Sequence, residues 1–182
     1  MAAVPQTLRT PRLTLRPLRP DDREAIARGV GNYDVARWLS VVPYPYGLAE
    51  ADAFIDEVRA DGKRVWAICD CEGLQGLVGL EAQLGYWLAR PVWGRGYASE
   101  ACGIVVWHAF TALSAGSVES SVFDGNDRSH RVLTKLGFVE TGRRRVEARA
   151  LAQTVEALSL RLTRAEWRAV RRLSPRPTSS IA

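Results

Sequence analysis

The chain has 182 residues, 47% hydrophobic and 25% charged, with a formal net charge of +5. This composition fits one globular domain with a real core and argues against a disordered or fibrous chain. No apolar run approaches a membrane span, and the opening MAAVPQTLRTPRL lacks the apolar core of a secretory leader, so a cytoplasmic protein is expected.

In chain order, Leu13, Leu15 and Leu18 mark a first strand, with Arg12, Thr14 and Arg16 on its other face. Pro20-Asp21-Asp22 opens a helix to about Gly29, since acids suit a helix N-terminus. A short helical piece is expected over Tyr33 to Leu39. Val42-Pro43-Tyr44-Pro45-Tyr46-Gly47 must be irregular, because each proline removes a donor and disfavours helix before it. Ala51, Phe54, Ile55 and Val58 give an amphipathic helix ended by Gly62.

Val65 to Cys69 and Leu77 to Leu80 read as strands around a turn at Glu72-Gly73. The next connection, Glu81-Ala82-Gln83, has neither Gly nor Pro. Either it is a tight hairpin or one neighbouring strand is misplaced. Leu84-Gly85-Tyr86-Trp87-Leu88 reads as a strand, Ala89 to Val92 as a turn. From Ala98 the apolar positions Ala101, Cys102, Val105, Val106, Ala109, Phe110 and Leu113 follow a helical series. Ser117 to Phe123 is a strand, and strand–helix–strand implies a right-handed parallel crossover.

Asn126 or Asp127 caps a helix that ends at Gly137. Phe138 to Arg149 and Val155 to Leu162 form a closing hairpin. Thr163-x-x-Glu166 is a capping box for a last helix. The domain is expected over residues 8–172, with a loose tail at 173–182. The fold class is α/β, a single domain with a mixed, mostly antiparallel twisted sheet and helices on both faces. Exposed edges of such a sheet can pair, so a homodimer is one expectation.

The stretch around Trp93-Gly94-Arg95-Gly96-Tyr97-Ala98 carries the main functional signal. Glycines between strand and helix let a ligand approach the backbone, where free N–H groups and the helix dipole favour an anion. They also simply let a helix pack on a strand, and a lone G-x-G does not separate the two readings. The pattern is neither a P-loop nor a full dinucleotide fingerprint.

GYWLARPVWGRGYASEA closely resembles the acetyl-CoA-binding motif of the GCN5-related N-acetyltransferases, in particular the branch that acetylates ribosomal-protein N-termini. Asn126-Asp127-Arg128-Ser129 with Val132 to Phe138 is similar to that family's next motif. Thr10 to Arg16 and Leu162 to Trp167 also resemble the branch.

The resemblance implies an acetyl-CoA-dependent N-acetyltransferase acting on a protein N-terminus or a small amine, by direct attack of the amine on the thioester. It places the pyrophosphate on the backbone from Trp93 to Ala98, with Arg95 adding charge. The pantetheine arm pairs at Trp87–Leu88 and meets Asn126, which also reads as a plain helix cap. A backbone N–H near Leu88 would stabilise the carbonyl oxygen.

Departures fall at the chemistry. The family's usual Glu before Gly-Tyr is Gln83, which cannot be a base. Glu81, two residues earlier and on the same face if the strand is continuous, is the base candidate. The family's frequent Tyr acid is replaced by Leu133. Ser129 matches a serine that can lie near the sulfur in this branch. Pro91 replaces a common Gln or Arg. Trp38, Tyr44 and Tyr46 are candidate acceptor-binding residues from the irregular segment, since loops carry specificity; they also suit core packing.

Three cysteines, Cys69, Cys71 and Cys102, and two histidines, His108 and His130, give no metal-ligand pattern, so no metal is expected. Residues 141 to 182 carry ten Arg and three acids, net +7, against −2 for the rest. That basic end could meet nucleic acid, but Arg143-Arg144-Arg145 lacks interleaved aromatics, which argues against it. Two rival readings remain: a non-catalytic acyl-CoA-binding module, and a basic interaction protein built on Arg143 to Arg172.

Overall fold

Leu15 pairs with Ile68, and Trp66 pairs with Val78, on adjacent strands whose core-facing side chains are fully buried. This period-two alternation builds the sheet the chain is wrapped around. The computed structural model describes residues 5–173. The expected loose tail lies outside these residues from 174 on.

The strands are β1 (Leu8–Arg9), β2 (Thr14–Pro17), β3 (Val65–Asp70), β4 (Gly73–Leu80), β5 (Leu84–Leu88), β6 (Ser117–Phe123), β7 (Val139–Ala148) and β8 (Gln153–Thr163). The helices are α1 (Arg23–Val30), α2 (Tyr33–Ala36), α3 (Leu48–Asp61), α4 (Tyr97–Thr111), α5 (Asp127–Lys135) and α6 (Arg164–Leu173). The eight strands form one sheet in the order β1-β2-β3-β4-β5-β6-β8-β7. Every neighbouring pair is antiparallel except β5 and β6. The expected α/β class, with its mixed and mostly antiparallel sheet, is what forms.

Two apolar cores cover the two faces. On one face α4 packs Val105, Val106 and Phe110 against Leu84, Val118 and Leu160. On the other, Ile26 of α1 and Ile55 of α3 pack against Ala67 and Leu77. A smaller cluster joins Phe123, Ala148 and Ala157 with Trp38.

Some boundaries move. The first strand is four residues, and the two-residue β1 pairs beside it through Leu8 and Leu15. The helix expected from Pro20 starts as a 3-10 turn over Pro20–Asp22, because Asp22 is drawn to Arg16 of β2 at 2.6 Å. Glu81–Gln83 is the tight hairpin: Leu80 pairs with Leu84, and Glu81 N–H donates to the Gln83 carbonyl at 3.3 Å. Gly62 closes α3 at φ +60°, and the Thr163–Glu166 capping box forms in both directions. No helix among the described residues is long and apolar enough to cross a membrane.

Candidate active site

The parallel neighbours β5 and β6 touch at one register pair, Leu84 with Ser120, and the Ser120 hydroxyl donates to the Leu84 carbonyl at 2.8 Å. Beyond that point the two strands part. The phase of β5 follows from one bond at its far end, where Ala89 N–H donates to the Gln75 carbonyl at 2.7 Å. Antiparallel pairs alternate between bonded and unbonded. The backbone groups of Gly85, Trp87 and Ala89 therefore face β4, and those of Leu84, Tyr86 and Leu88 face the gap. The Leu88 carbonyl accepts the Trp93 indole N–H at 2.7 Å, which leaves the Tyr86 backbone and the Leu88 N–H turned to the opening.

Of the pair expected to meet a pantetheine arm, Leu88 presents its backbone to the gap. Trp87 has its backbone turned to β4 and its ring against α1, where a Cβ on Gly29 would lie 2.6 Å away.

At the mouth of the gap the chain turns through Arg90–Val92 into α4. Gly94 and Gly96 take φ of +80° and +81°, which L side chains rarely adopt, and a Cβ on Gly94 would meet nothing within 4 Å. Gly96 is the N-cap of α4, so the N–H groups of Tyr97, Ala98 and Ser99 have no intrahelical partner.

Two further residues shape this turn. Arg12 donates through Nη1 to the Arg95 carbonyl at 2.9 Å and lies over the Tyr97 ring at 5.0 Å. It also pairs with Glu100, the one acid in the first turn of α4, at 2.5 Å, while Thr10 Oγ1 donates to the same carboxylate at 2.6 Å. Burial alone would raise the Glu100 pKa; the bonds from Thr10 and Arg12 outweigh it and hold the carboxyl below its ordinary range. The acid that would repel an anion here is thus neutralised locally.

Arg90 and Arg128 lie over the Trp93 ring at 4.8 and 4.9 Å; Arg90 also pairs with Asp34 at 3.6 Å, and Arg128 adds positive charge at the same mouth. Arg95 itself is exposed beside them.

Across the gap, α5 begins at Asn126. Its Oδ1 accepts the Ser129 N–H at 3.2 Å, so it caps the helix and keeps its NH₂ available. Ser129 Oγ lies 2.9 Å from the Tyr86 hydroxyl, joining α5 to β5. Burial, then the Cys102 thiol, pushes the Tyr86 phenol well above its ordinary pKa, against a smaller opposing effect of Ser129. Reading the sequence missed Tyr86. The signal was available: it sits in the Gly-Tyr pair, with parity that turns it toward α4 and α5. Leu133 is fully buried in the core below.

Glu81 does not share a strand with Tyr86. It is exposed in the hairpin turn, where Oε1 accepts the Arg64 N–H at 2.7 Å. Gln83 lies nearer the gap, and its Oε1 accepts from Ser121 Oγ at 3.1 Å and from Arg144 Nη2 at 3.2 Å.

The three aromatics do not converge. Trp38 packs with Phe123, Ala148 and Ala157 on the face of β6 that carries Ser121. Tyr44 is exposed and edge-on to Tyr33, with centroids 5.0 Å apart. Tyr46 packs into the α1–α3 core; burial and then Glu50 raise its pKa to about 12. Among the described residues no group of three His, Cys, Asp or Glu could hold a metal.

These features fit acetyl-CoA. A positive-φ glycine turn opens onto free helix N–H groups, the local acid is paired, and an unpaired strand edge leads from that turn to two hydroxyls.

Comparison with known proteins agrees. A family model described as Acetyltransferase (GNAT) domain matches residues 12–139. The putative ribosomal N-acetyltransferase YdaF of Bacillus subtilis (strain 168) is 27% identical over 151 residues, 73% of this chain and 81% of that one. A putative acetyltransferase from T. thermophilus superposes with a TM-score of 0.80 at 26% identity, covering 95% of this chain and 97% of that one. Mycobacterium smegmatis RimJ, solved in complex with CoA-disulfide, superposes at 0.73 with 23% identity, over 94% of this chain and 93% of that one.

Proposed function

The chain belongs to the GNAT acetyltransferase family, and from that premise we propose that it is an acetyl-CoA-dependent N-acetyltransferase that acetylates the α-amine of a protein N-terminus or of a small molecule. Acetyl-CoA supplies an activated acyl group and a thiolate that can leave. The rest falls to residues of this chain.

The N–H groups of Tyr97 and Ala98 hold the pyrophosphate, with Gly94 and Gly96 permitting the approach and Arg95 adding charge. Trp93 fixes the Leu88 carbonyl, which turns the Leu88 N–H into the gap, where it stabilises charge on the acetyl oxygen. Asn126 offers its NH₂ to the pantetheine arm. Ser129 Oγ would donate a proton to the leaving sulfur and regain one from the Tyr86 hydroxyl, which solvent would reprotonate with the proton that the amine gives up.

The single observation that carries this reading is the Tyr86–Ser129 hydroxyl pair at the open end of β5. Before the Gly-Tyr pair of β5 stands the amide of Gln83, its oxygen already taken by Ser121 and Arg144. No proton acceptor is offered there. An α-amine, with pKa near ~8, needs less help than an alkyl amine near ~10. Water then takes the amine's proton, and Glu81, held by Arg64 in the turn, takes none.

Calorimetry with acetyl-CoA, CoA and ATP, followed by thiol release against a panel of peptides and amines, tests the proposal. Binding of CoA species without ATP binding, with turnover favouring α-amines over alkyl amines, is the expected result. Turnover confined to alkyl amines would overturn the acceptor assignment, and absence of CoA binding the cradle.

A further inference from the structure

We propose that Arg37, Arg144 and Arg149, grouped around Trp38, form a recognition site for a carboxylate that the acceptor carries close to its amine. The inference rests on the acyl-transfer reading above and names its substrate class.

Trp38 packs on Phe123, Ala148 and Ala157, and Val146 joins the same cluster. By the two-residue period of β7, Arg144 shares the face of Val146 and Ala148. It reaches from there to the Ser121 hydroxyl at 3.2 Å and the Gln83 amide oxygen at 3.2 Å, at the turn that leads into β5. Arg37 lies over the Trp38 ring at 5.0 Å. Arg149 holds the irregular segment from the other side, donating from its backbone to the Ser40 carbonyl at 3.1 Å and from Nη1 to the Val41 carbonyl at 3.2 Å.

The neighbours on β7 make the contrast. Arg143 and Arg145, on the opposite face, pair with Asp124 at 3.4 Å and Glu156 at 3.8 Å. Among the described residues Arg37, Arg144 and Arg149 have no carboxylate partner; what they touch is neutral oxygen or an aromatic ring. One guanidinium therefore lies on the Trp38 ring, and two more leave the strand and turn that pack beside it, without an ion-pair partner.

Both side-chain bonds of Arg144 leave from Nη2. Its Nη1 remains to give a carboxylate one charge-assisted bond. A polycationic amine would be repelled from the same surface. An amine bearing a carboxylate is drawn to it, whether a free amino acid or a peptide with Asp or Glu among its first residues.

The test uses the full chain at saturating acetyl-CoA with paired acceptors: a peptide with N-terminal Ser-Glu against Ser-Gln, free glutamate against glutamine, and spermidine. The carboxylate member of at least one pair is expected to have a kcat/KM roughly tenfold or more above its amide partner, the lower range for one charge-assisted bond. Arg144→Gln and Arg37→Gln should collapse that ratio, and Arg144→Glu should invert it. The peptide pair and the amino-acid pair distinguish the two sources of the carboxylate.

Fluorescence anisotropy of dye-labelled Ser-Glu and Ser-Gln peptides without acetyl-CoA keeps carboxylate recognition separate from cofactor binding. Equal anisotropy for both peptides together with equal kcat/KM for glutamate and glutamine, equal kcat/KM within both pairs, preference for spermidine, or a ratio insensitive to Arg144→Gln and Arg37→Gln would each overturn the inference. Loss of acetyl-CoA binding with intact peptide discrimination would instead overturn the acyl-transfer reading.

Discussion

The Tyr86 hydroxyl and Ser129 Oγ lie 2.9 Å apart, and this bond spans the gap between β5 and the first turn of α5. A phenol raised by burial stays protonated at working pH, so it can keep Ser129 supplied with a proton rather than compete for one. Ser129→Ala should lower kcat by about tenfold at unchanged KM for acetyl-CoA, a modest value for general-acid work because a thiolate leaves readily. Tyr86→Phe should lower kcat in the same direction, and the double variant should cost no more than Ser129→Ala alone. Additive losses in a thiol-release assay would show that the two hydroxyls do not act as one path.

Arg12 ties the segment before β2 to the glycine turn through the Arg95 carbonyl and Glu100. Arg12→Ala should raise KM for acetyl-CoA by about tenfold while kcat stays within about twofold, the scale of one charge-assisted bond. Glu100→Gln should do less, because it leaves the bond to the Arg95 carbonyl intact. Since the Glu100 carboxyl is held below its ordinary range, the latch is fully present above that range and is lost only as pH falls through the lowered value. Steady-state kinetics at neutral pH check the first claim, and acetyl-CoA affinity followed into acid checks the second.

Much of this was readable beforehand because it depends on spacing. The extent of β5, the start of β6, the caps at Gly62 and Asn126 and the glycine turn all follow from local chemistry. What the linear chain hides is contact between distant residues. That Arg12 would reach Arg95 depends on β2 lying beside β3 and on α4 crossing above. Glu81 and Gln83 share a face only on a continuous strand, and the hairpin at 81–83 breaks it. Arg144 read as one of three equal arginines until the sheet turned it, alone of the three, toward Trp38.

Gly76 is where β4 presses on the strand that lines the gap. A Cβ there would lie 2.2 Å from the Trp87 carbonyl oxygen and 2.9 Å from Leu88 Cα, and neither backbone atom can move alone. Gly76→Ala should therefore cost about 1 to 3 kcal/mol of stability, as overpacking does. It should also raise KM for acetyl-CoA by displacing the β5 edge. Gly85→Ala is the control: a Cβ there meets nothing within 4 Å, so stability should hold within about 0.5 kcal/mol. Urea unfolding of both variants decides the matter, and equal losses would mean that β4 shifts freely.

His108 makes the chain less stable at mildly acidic pH. It is 7% exposed in the last turn of α4, with its ring edge-on to Trp66 at a centroid distance of 6.0 Å. The helix dipole favours an imidazolium at that end. Burial, helped by Arg64, outweighs it and lowers the pKa from 6.5. The unfolded chain then takes up a proton before the folded one does, so stability rises with pH across that window. As pH falls below about 6.5, stability should decline until the lowered folded-state value is reached. Urea midpoints at pH 7.5 and 5.5 should differ in the wild type, and the difference should shrink in His108→Gln. A wild-type midpoint that is flat over this range would mean that the protonated ring reaches water, against its position between α4 and Trp66.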